Sequence, residues 1–412
     1  MQELKSLRRC WRDKSMEKVK MVQLKDVCEF INGDRGVNYP KADELVDEGI
    51  PFINAGHIQN GSISFEDMNY ITQEKYDKLS SGKVNKGDIV YCLRGSLGKH
   101  ATITFDTGAV ASSLVIMRPR TIILSDYLAY VLDSTSINTQ MIKANNGSSQ
   151  PNLSATSVKE FVVPLPSLKM QEKIISIMDK AKSLVTMRRQ QIQGCDELIK
   201  SQFIEMFGDP VFNTMNWETK KVGDFCFVTK LAGFEYTKYI QYKDSGDVIM
   251  IRGLNVKNNK LKLDDVYYID SSISDLLSRS QLKENDIVMT YVGVNIGDVA
   301  LVDGNNRYHL APNVAKISAN SFNEINPLFF VNLMAFNKSN FASNATNTAK
   351  QALNMDKIRK LEVMFPPIEL QNQFAQFVQQ IDKLKFGMEQ SLKELEDNFD
   401  SLMQRAFKGE LF

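Results

Sequence analysis

The sequence predicts an α+β protein in which two similar globular domains alternate with two long helices, the helices pairing as an antiparallel coiled coil with pseudo-twofold symmetry. Three observations predict it. The chain repeats itself at a nearly constant offset. Each copy opens on short β-rich runs interleaved with helical stretches. Each copy closes on a heptad ladder that no proline interrupts. The expected divisions are an N-terminal extension (1–20), a globular domain (21–166), a helix (167–208), a second globular domain (209–366) and a second helix (367–412).

The repeat is legible residue by residue. Leu24-Lys25-Asp26-Val27-Cys28 matches Val222-Gly223-Asp224-Phe225-Cys226, an offset of 198. Phe52-Ile53-Asn54 aligns with Met250-Ile251-Arg252, and Lys86-Gly87-Asp88-Ile89-Val90 with Glu284-Asn285-Asp286-Ile287-Val288. Gly95 falls on Gly293, but Gly98 falls on Gly297, so the second copy carries an extra residue there. From Leu153 and Leu353 onward the offset is 200, through Pro166/Pro366, Gln171/Gln371 and Phe207/Phe407.

The elements follow in chain order. The first twenty residues are polar and basic, with Arg8, Arg9 and Arg12, and lack the apolar centre of a signal peptide. Met16 and Met21 offer alternative starts. In the globular parts, residues 88–92 and 286–291 read as strands bounded by Gly and Asn turns, and residues 126–132 and 328–336 as helices.

The first helix carries apolar residues at Ile174, Met178, Ala181, Val185, Ile192, Cys195, Ile199 and Met206. The second carries Phe374, Val378, Ile381, Met388, Leu392, Leu395, Phe399, Leu402 and Ala406, with Lys385 in the series. This is an a/d seam over almost five heptads, and each helix would be about 60 Å long at ~1.5 Å per residue. Ile174, Met178, Val185, Ile192 and Ile199 are expected to pair with Phe374, Val378, Ile381, Leu392 and Phe399. Arg188 and Gln202 break the first seam and Lys385 the second, which favours pairing one with the other over self-pairing. Two solvated helices with separate partners is the competing expectation.

Composition narrows the function classes. Hydrophobic content is 43% and charged content 24%, as in an ordinary folded chain. A net charge of +1 argues against a general nucleic-acid coater but leaves room for a local basic patch. The five cysteines include no CxxC pair and there are three histidines, so no metal site is expected. No apolar run is long enough to span a bilayer, and a cytoplasmic protein with buried free thiols is expected.

Catalytic motifs are missing. The string Gly95-Ser96-Leu97-Gly98-Lys99-His100 has the wrong spacing for a phosphate-binding loop and reads as a tight turn. There is no HExxH, and no Asn-Pro-Pro-aromatic string of a base methyltransferase. The chain is expected not to be an enzyme by itself.

At four places the chain resembles the specificity subunits of type I restriction-modification enzymes. They are the opening Val22-Gln23-Leu24-Lys25-Asp26-Val27-Cys28, and the strand and loop Lys86-Gly87-Asp88-Ile89-Val90 followed by Arg94-Gly95-Ser96-Leu97-Gly98-Lys99. Next come the exits Val163-Pro164-Leu165-Pro166 leading to Gln171 and Phe365-Pro366-Pro367-Ile368 leading to Gln371, then the link Phe207-Gly208-Asp209-Pro210 followed by Trp217. The resemblance covers nearly all of the chain after about Met16. It implies two target-recognition domains, each reading one half of a split double-stranded DNA sequence, with the helices setting the unread gap. It also implies methyltransferase subunits and restriction/translocase subunits as partners. S-adenosylmethionine, ATP and Mg would sit in those partners, with no cofactor in this chain.

Base readers are then expected among polar loop residues, because Arg can bridge guanine O6 and N7, and Asn or Gln can bridge adenine N6 and N7. The first domain offers Asn32, Asp34, Arg35, Arg94, Ser96, Lys99, Ser149 and Gln150. The second offers Lys230, Arg252, Asn255, Asn295, Asn347 and Lys350. His57 and His309 read as structural. The second loop, Val292-Gly293-Val294-Asn295-Ile296-Gly297, lacks counterparts of Arg94 and Lys99, so contacts in one loop do not transfer to the other. Two other readings stand beside this one: a coiled-coil adaptor that binds proteins rather than DNA, and a specificity chain for a fused methyltransferase-nuclease.

Overall fold

A computed structural model describes residues 19–145, 151–257, 259–343 and 352–408. Ser149, Gln150, Asn347, Lys350, Cys10 and most of the N-terminal extension lie outside them. The chain divides into two units: Met1–Arg189 with Gln390–Phe412, and Gln190–Glu389. Each long helix therefore contributes one part to each unit.

In the first unit the domain's entry and exit are tied together. Strand Lys20–Gln23 runs antiparallel to Val162–Leu165, pairing Lys20 with Leu165 and Gln23 with Val162. Cys28–Asn32 then opens a four-stranded sheet in the order Cys28–Asn32, Leu114–Pro119, Ile89–Cys92, His100–Thr102. The strand Ile89–Cys92 is buried at every position, and its residues alternate between two cores as the strand period requires. Ile89 and Tyr91 join the apolar core under helix Ser125–Leu132. Val90 and Cys92 face the opposite core with Ile53, Ile58 and Val110. A second four-stranded sheet places Ile50–Ile53 parallel to Gly108–Val110.

The second unit repeats this plan. Thr219–Lys221 pairs with Glu362–Met364, and Cys226–Lys230 pairs with Val314–Ala319, which in turn pairs with Ile287–Thr290. Val248–Ile251 runs parallel to Arg307–Leu310. Ile287 and Met289 face one core and Val288 the other, the same alternation as in the first unit.

The long helices are Leu168–Phe207 and Ile368–Phe407. In the first unit Ile174 and Met178 share a core with Met403, Ala406 and Phe407, and the Phe407 ring meets Tyr127 edge-on at 5.8 Å. Arg189 bonds to Glu396 at 2.6 Å. In the second unit Phe203 meets Phe374 edge-on at 5.2 Å, and Lys385 bonds to Asp196 at 2.6 Å. Within each unit, moving up one helix moves down the other, so the two segments run antiparallel.

Val185, Phe374, Val378 and Ile381 are buried, while Ile192, Ile199, Leu392 and Phe399 are half-exposed. The ladder misplaces the end of the first helix. It expects Gln202 and Met206 to follow Ile199, whereas the fully buried residues are Phe203 and Phe207. An α-helix drifts ~20° per heptad against a strict seven-residue repeat, so over several turns the buried column passes to the next position.

Each helix is locked to its globular domain by a buried glutamine. Gln171 accepts from the Leu124 amide at 2.8 Å and donates to the Ile122 and Pro166 carbonyls at 3.0 Å. Gln371 accepts from the Asn326 amide at 2.9 Å and donates to the Glu324 and Pro366 carbonyls at 3.3 and 2.8 Å. The described cysteines, Cys28, Cys92, Cys195 and Cys226, are free and buried. Burial pushes the Cys28 and Cys226 thiols up to about 12, so both stay protonated.

Candidate nucleic-acid interface

Both units carry the same turn at the end of the same strand. In the first unit the Cys92 amide donates to the Lys99 carbonyl at 2.8 Å, and the Gly98 amide returns to Cys92 at 3.2 Å. The Lys99 amide donates to Ser96 at 3.3 Å, and the Leu93 amide to Ser113 at 2.9 Å. In the second unit the Thr290 amide donates to Asp298 at 2.8 Å, Gly297 to Thr290 at 2.9 Å, Asp298 to Asn295 at 3.1 Å, and Tyr291 to Asn313 at 3.0 Å. Cys92 thus corresponds to Thr290, Ser96 to Asn295 and Lys99 to Asp298.

Glycine is required at the bends. Gly98 and Gly297 have φ of 77° and 85°, a region that costs other L-residues strain. A Cβ on Gly98 would meet the Met141 sulfur at 2.6 Å, and one on Gly297 would meet the Lys338 side chain at 3.0 Å. The outer glycines, Gly95 and Gly293, face open space.

The side chains on this common frame differ. In the first unit Arg94, Gly95 and Ser96 are exposed, and the Arg94 guanidinium makes no hydrogen bond or ion pair among the described residues. Arg35 is also exposed; its Nη2 donates to the Ser112 carbonyl at 3.3 Å, beside the Ser113 carbonyl that holds Leu93. The structure therefore brings Arg35, Arg94 and Ser96 to one edge. Lys99 is half-buried and donates to the Ala55 carbonyl at 3.2 Å, which leaves it pointing back along the domain's own loop. Asn32 is exposed at the end of its strand.

In the second unit the turn borders an open cleft of about 390 Å³ lined by Tyr236, Tyr242, Arg252, Leu254, Val294 and Asn295, among others. Arg252 Nη2 donates to the Asp265 carboxylate at 2.9 Å and carbonyl at 2.8 Å, and its guanidinium lies 4.4 Å above the Tyr267 ring. Tyr242 stacks on Tyr267 at 5.2 Å. Burial raises the Tyr242 hydroxyl to about 12, so it remains a donor at neutral pH. Lys230 is exposed, with Nζ 5.2 Å from the ring of Tyr291, the residue that opens the turn. Arg252 and Asn295 therefore line one concavity, and Lys230 lies outside its lining, over the ring of Tyr291.

Two expected readers are structural. Asn255 is wholly buried: its Nδ2 donates to the Lys262 and Asp265 carbonyls at 2.8 Å, and its Oδ1 accepts from the Arg252 amide at 3.0 Å. With both amide protons consumed it cannot read a base. It clamps the loop that carries Arg252. The repeat held the clue, since His57 occupies the same place in the first unit; its Nδ1 accepts from the Asn54 amide at 3.1 Å, and its Nε2 lies 3.2 Å from the Asp67 carbonyl. Asp34 is likewise an anchor, accepting from Gly36 at 2.7 Å and from the amide and hydroxyl of Ser80 at 2.8 Å. The Gly36 amide is the largest cause holding its carboxyl below the usual range.

Sequence reasoning overlooked Tyr236, Tyr242 and Val294. Val294 was marked only by the one-residue insertion. The tyrosines recur every third residue at 236, 239 and 242, but only the folded chain turns two of them into one cleft. Among the described residues, no group of three or more His, Cys, Asp or Glu side chains is placed to hold a metal ion. No described helix is long and apolar enough to cross a membrane.

Comparison with known proteins agrees with the duplication. The model of the type I restriction modification DNA specificity domain matches residues 16–194 and again residues 215–397. The chain is 22% identical over 408 residues to the type I restriction enzyme EcoKI specificity subunit of Escherichia coli (strain K12), covering 92% of this chain and 86% of that one. It is 23% identical over 427 residues to the MjaIX specificity subunit of Methanocaldococcus jannaschii, covering 94% and 92%. The fold is similar to a chain solved in a study of complex assembly and conformational transition of the type I R-M system. That match has a TM-score of 0.63 at 14% identity, over 95% of this chain and 98% of that one. It is also similar to a type I restriction-modification S subunit from M. genitalium, with a TM-score of 0.53 at 13% identity, over 95% and 96%.

Proposed function

The chain belongs to the type I restriction-modification DNA specificity family, and from that premise we propose that its two matched turns are the parts that read the two halves of a split DNA target. The observation that carries this reading is the turn itself. Its backbone hydrogen bonds are the same in both units, while its exposed side chains are cationic and polar in one and apolar and amide-bearing in the other. A common frame with divergent side chains is what two readers of different short sequences need, because phosphate contacts position a protein and side chains on base edges specify. Arg35, Arg94 and Ser96 form the first reading edge; Lys230, Arg252 and Asn295 form the second. From the sequence we also propose base or phosphate contacts for Asn32, Lys99, Ser149, Gln150, Asn347 and Lys350.

In this reading the chain selects the site and leaves chemistry to its partners. Methyltransferase subunits dock on it, with S-adenosylmethionine in their own sites, and restriction/translocase subunits bring ATP and Mg. The long helices bury Ile174, Met178 and Val185 in the first unit and Phe374, Val378 and Ile381 in the second. The complex works in the cytoplasm, on genomic DNA.

The experiment is a genome-wide methylation map of cells that express this chain with the methyltransferase encoded beside it. One split motif, methylated only when both chains are present, is the expected result. Co-purification of the two chains without any methylated motif would overturn the reading.

A further inference from the structure

The turn that ends the strand Ile287–Thr290 differs from its counterpart by one residue, and the hydrogen bonds identify which. Ser96 and Asn295 both accept from the residue three ahead, and Gly95 and Gly293 both open the bend. The residue left over is Val294. Its side chain is 102% exposed, as free as a valine in an extended peptide. An insertion into a tight turn usually adds a polar residue, since loops run through water. Here it adds an isopropyl group at the apex that nothing in the described chain covers.

The apex is held in position. The Ile296 amide donates to Gly293 at 3.2 Å, and Asp298, at the foot of the turn, bonds to Lys338 at 2.5 Å. Val294 forms one rim of the cleft, with Leu254, 42% exposed, also lining it. No carboxylate lines this cleft; Arg252 in its lining is paired with Asp265, and Lys230, outside the lining, is exposed with its ammonium over the Tyr291 ring. An apolar point at the rim of a cleft with no carboxylate in its lining, with the exposed Lys230 in the same unit, is complementary to a polyanion that displays an apolar group. In duplex DNA the 5-methyl group of thymine, presented in the major groove, is that group.

We propose that Val294 is a specificity-determining residue of the second half-site, and that it reads a thymine by packing its isopropyl group against the 5-methyl. This rests on the reading that the second unit binds DNA. The first unit makes no such contact, since its turn has no inserted residue and carries Arg94 and Ser96 instead.

The test uses the full chain in complex with its methyltransferase and duplexes bearing the mapped target. Each thymine of the second half-site is replaced in turn by uracil, which keeps every hydrogen-bonding group and lacks only the methyl. One replacement is expected to weaken wild-type binding about fourfold, the worth of burying one methyl group. Val294→Ala and Val294→Ser are expected to bind the thymine duplex about fourfold more weakly and to be indifferent to that replacement. Replacements in the first half-site should affect wild type and variants alike. A wild-type complex that binds its target specifically yet responds to no replacement, or a Val294 variant that keeps the full uracil penalty, overturns the inference alone. A complex with no sequence preference overturns the DNA-reading function as well.

Discussion

Gln171 and Gln371 make the same three hydrogen bonds in the two units: each side-chain oxygen receives the backbone amide that precedes a helix, and each side-chain nitrogen serves two carbonyls. Neither side chain has any exposed surface. A part-buried amide, a part-buried carbonyl and the buried Pro166 or Pro366 carbonyl lose their partner if the glutamine is removed, and a fully buried loss costs about 1–3 kcal/mol, a part-buried one less. Gln171→Ala is therefore expected to destabilise the first unit by several kcal/mol. Amide hydrogen exchange checks it: Leu124 should lose protection while Asn326 in the second unit keeps its own.

The helix ends hold more tightly than the middle. Phe203 is fully buried among Phe207, Phe329 and Phe374, with ring separations of 5.1, 5.7 and 5.2 Å. Phe203→Ala should cost about 3–5 kcal/mol through the cavity it leaves. Ile192 is half-exposed, so Ile192→Asp keeps access to water and should cost less, about 1–2 kcal/mol. Urea unfolding followed in the second unit compares them. An equal cost would mean that the mid-helix seam, not the phenylalanine cluster, carries the pairing.

The second unit should lose stability in mild acid. His309 is buried, its Nε2 has no hydrogen-bond partner among the described residues, and burial lowers its pKa from the ordinary 6.5. The unfolded imidazole takes a proton as pH falls through about 6.5, while the folded one resists until lower pH. The unfolded state then binds more protons, so this contribution is full above about 6.5 and is lost as pH falls toward the folded value. Denaturant titrations at pH 7.5 and 5.5 should show the loss, and His309→Phe should remove that part of the slope.

Arg94 is expected to act on one half-site only. A guanidinium that bridges a guanine is worth about 1–3 kcal/mol of discrimination, so Arg94→Ala should relax one position by about tenfold. Methylation mapping would show that position degenerate and the other half-site unchanged. Degeneracy in both halves would contradict the division of labour between the units. Exchange of residues 21–166 for another domain of the family should likewise rewrite one half alone.

Two asparagines in the second unit should part company. Asn255→Ala removes a buried side chain that makes three part-buried hydrogen bonds and is expected to cost about 2–4 kcal/mol of stability without a new target preference. Asn295→Ala, at the rim of the cleft, should leave unfolding unchanged within about 0.5 kcal/mol and change the second half-site. Differential unfolding and methylation mapping on the same two variants decide it.

The sequence by itself determined the duplication, the alternation of globular parts with long helices and the family. Those rest on periodic signals: Leu153/Leu353, Gln171/Gln371 and Phe207/Phe407 keep one offset, and apolar residues recur every three or four positions. Periodicity survives divergence because every strand and turn needs its own pattern of burial. It was blind to which loop residues have spare hydrogen-bonding capacity. Asn255 and Asn295 look alike in the chain, yet one is consumed by Lys262, Asp265 and Arg252 and the other stands at a cleft. Lys99 and Arg94 are both loop cations, but only Lys99 is tied to the Ala55 carbonyl. Those differences lie in contacts between residues far apart in the chain, such as Arg35 with Ser112 or Arg252 with Asp265. Only the tertiary structure decided them, because a side chain's partners are set by what the fold brings within about 3 Å of it.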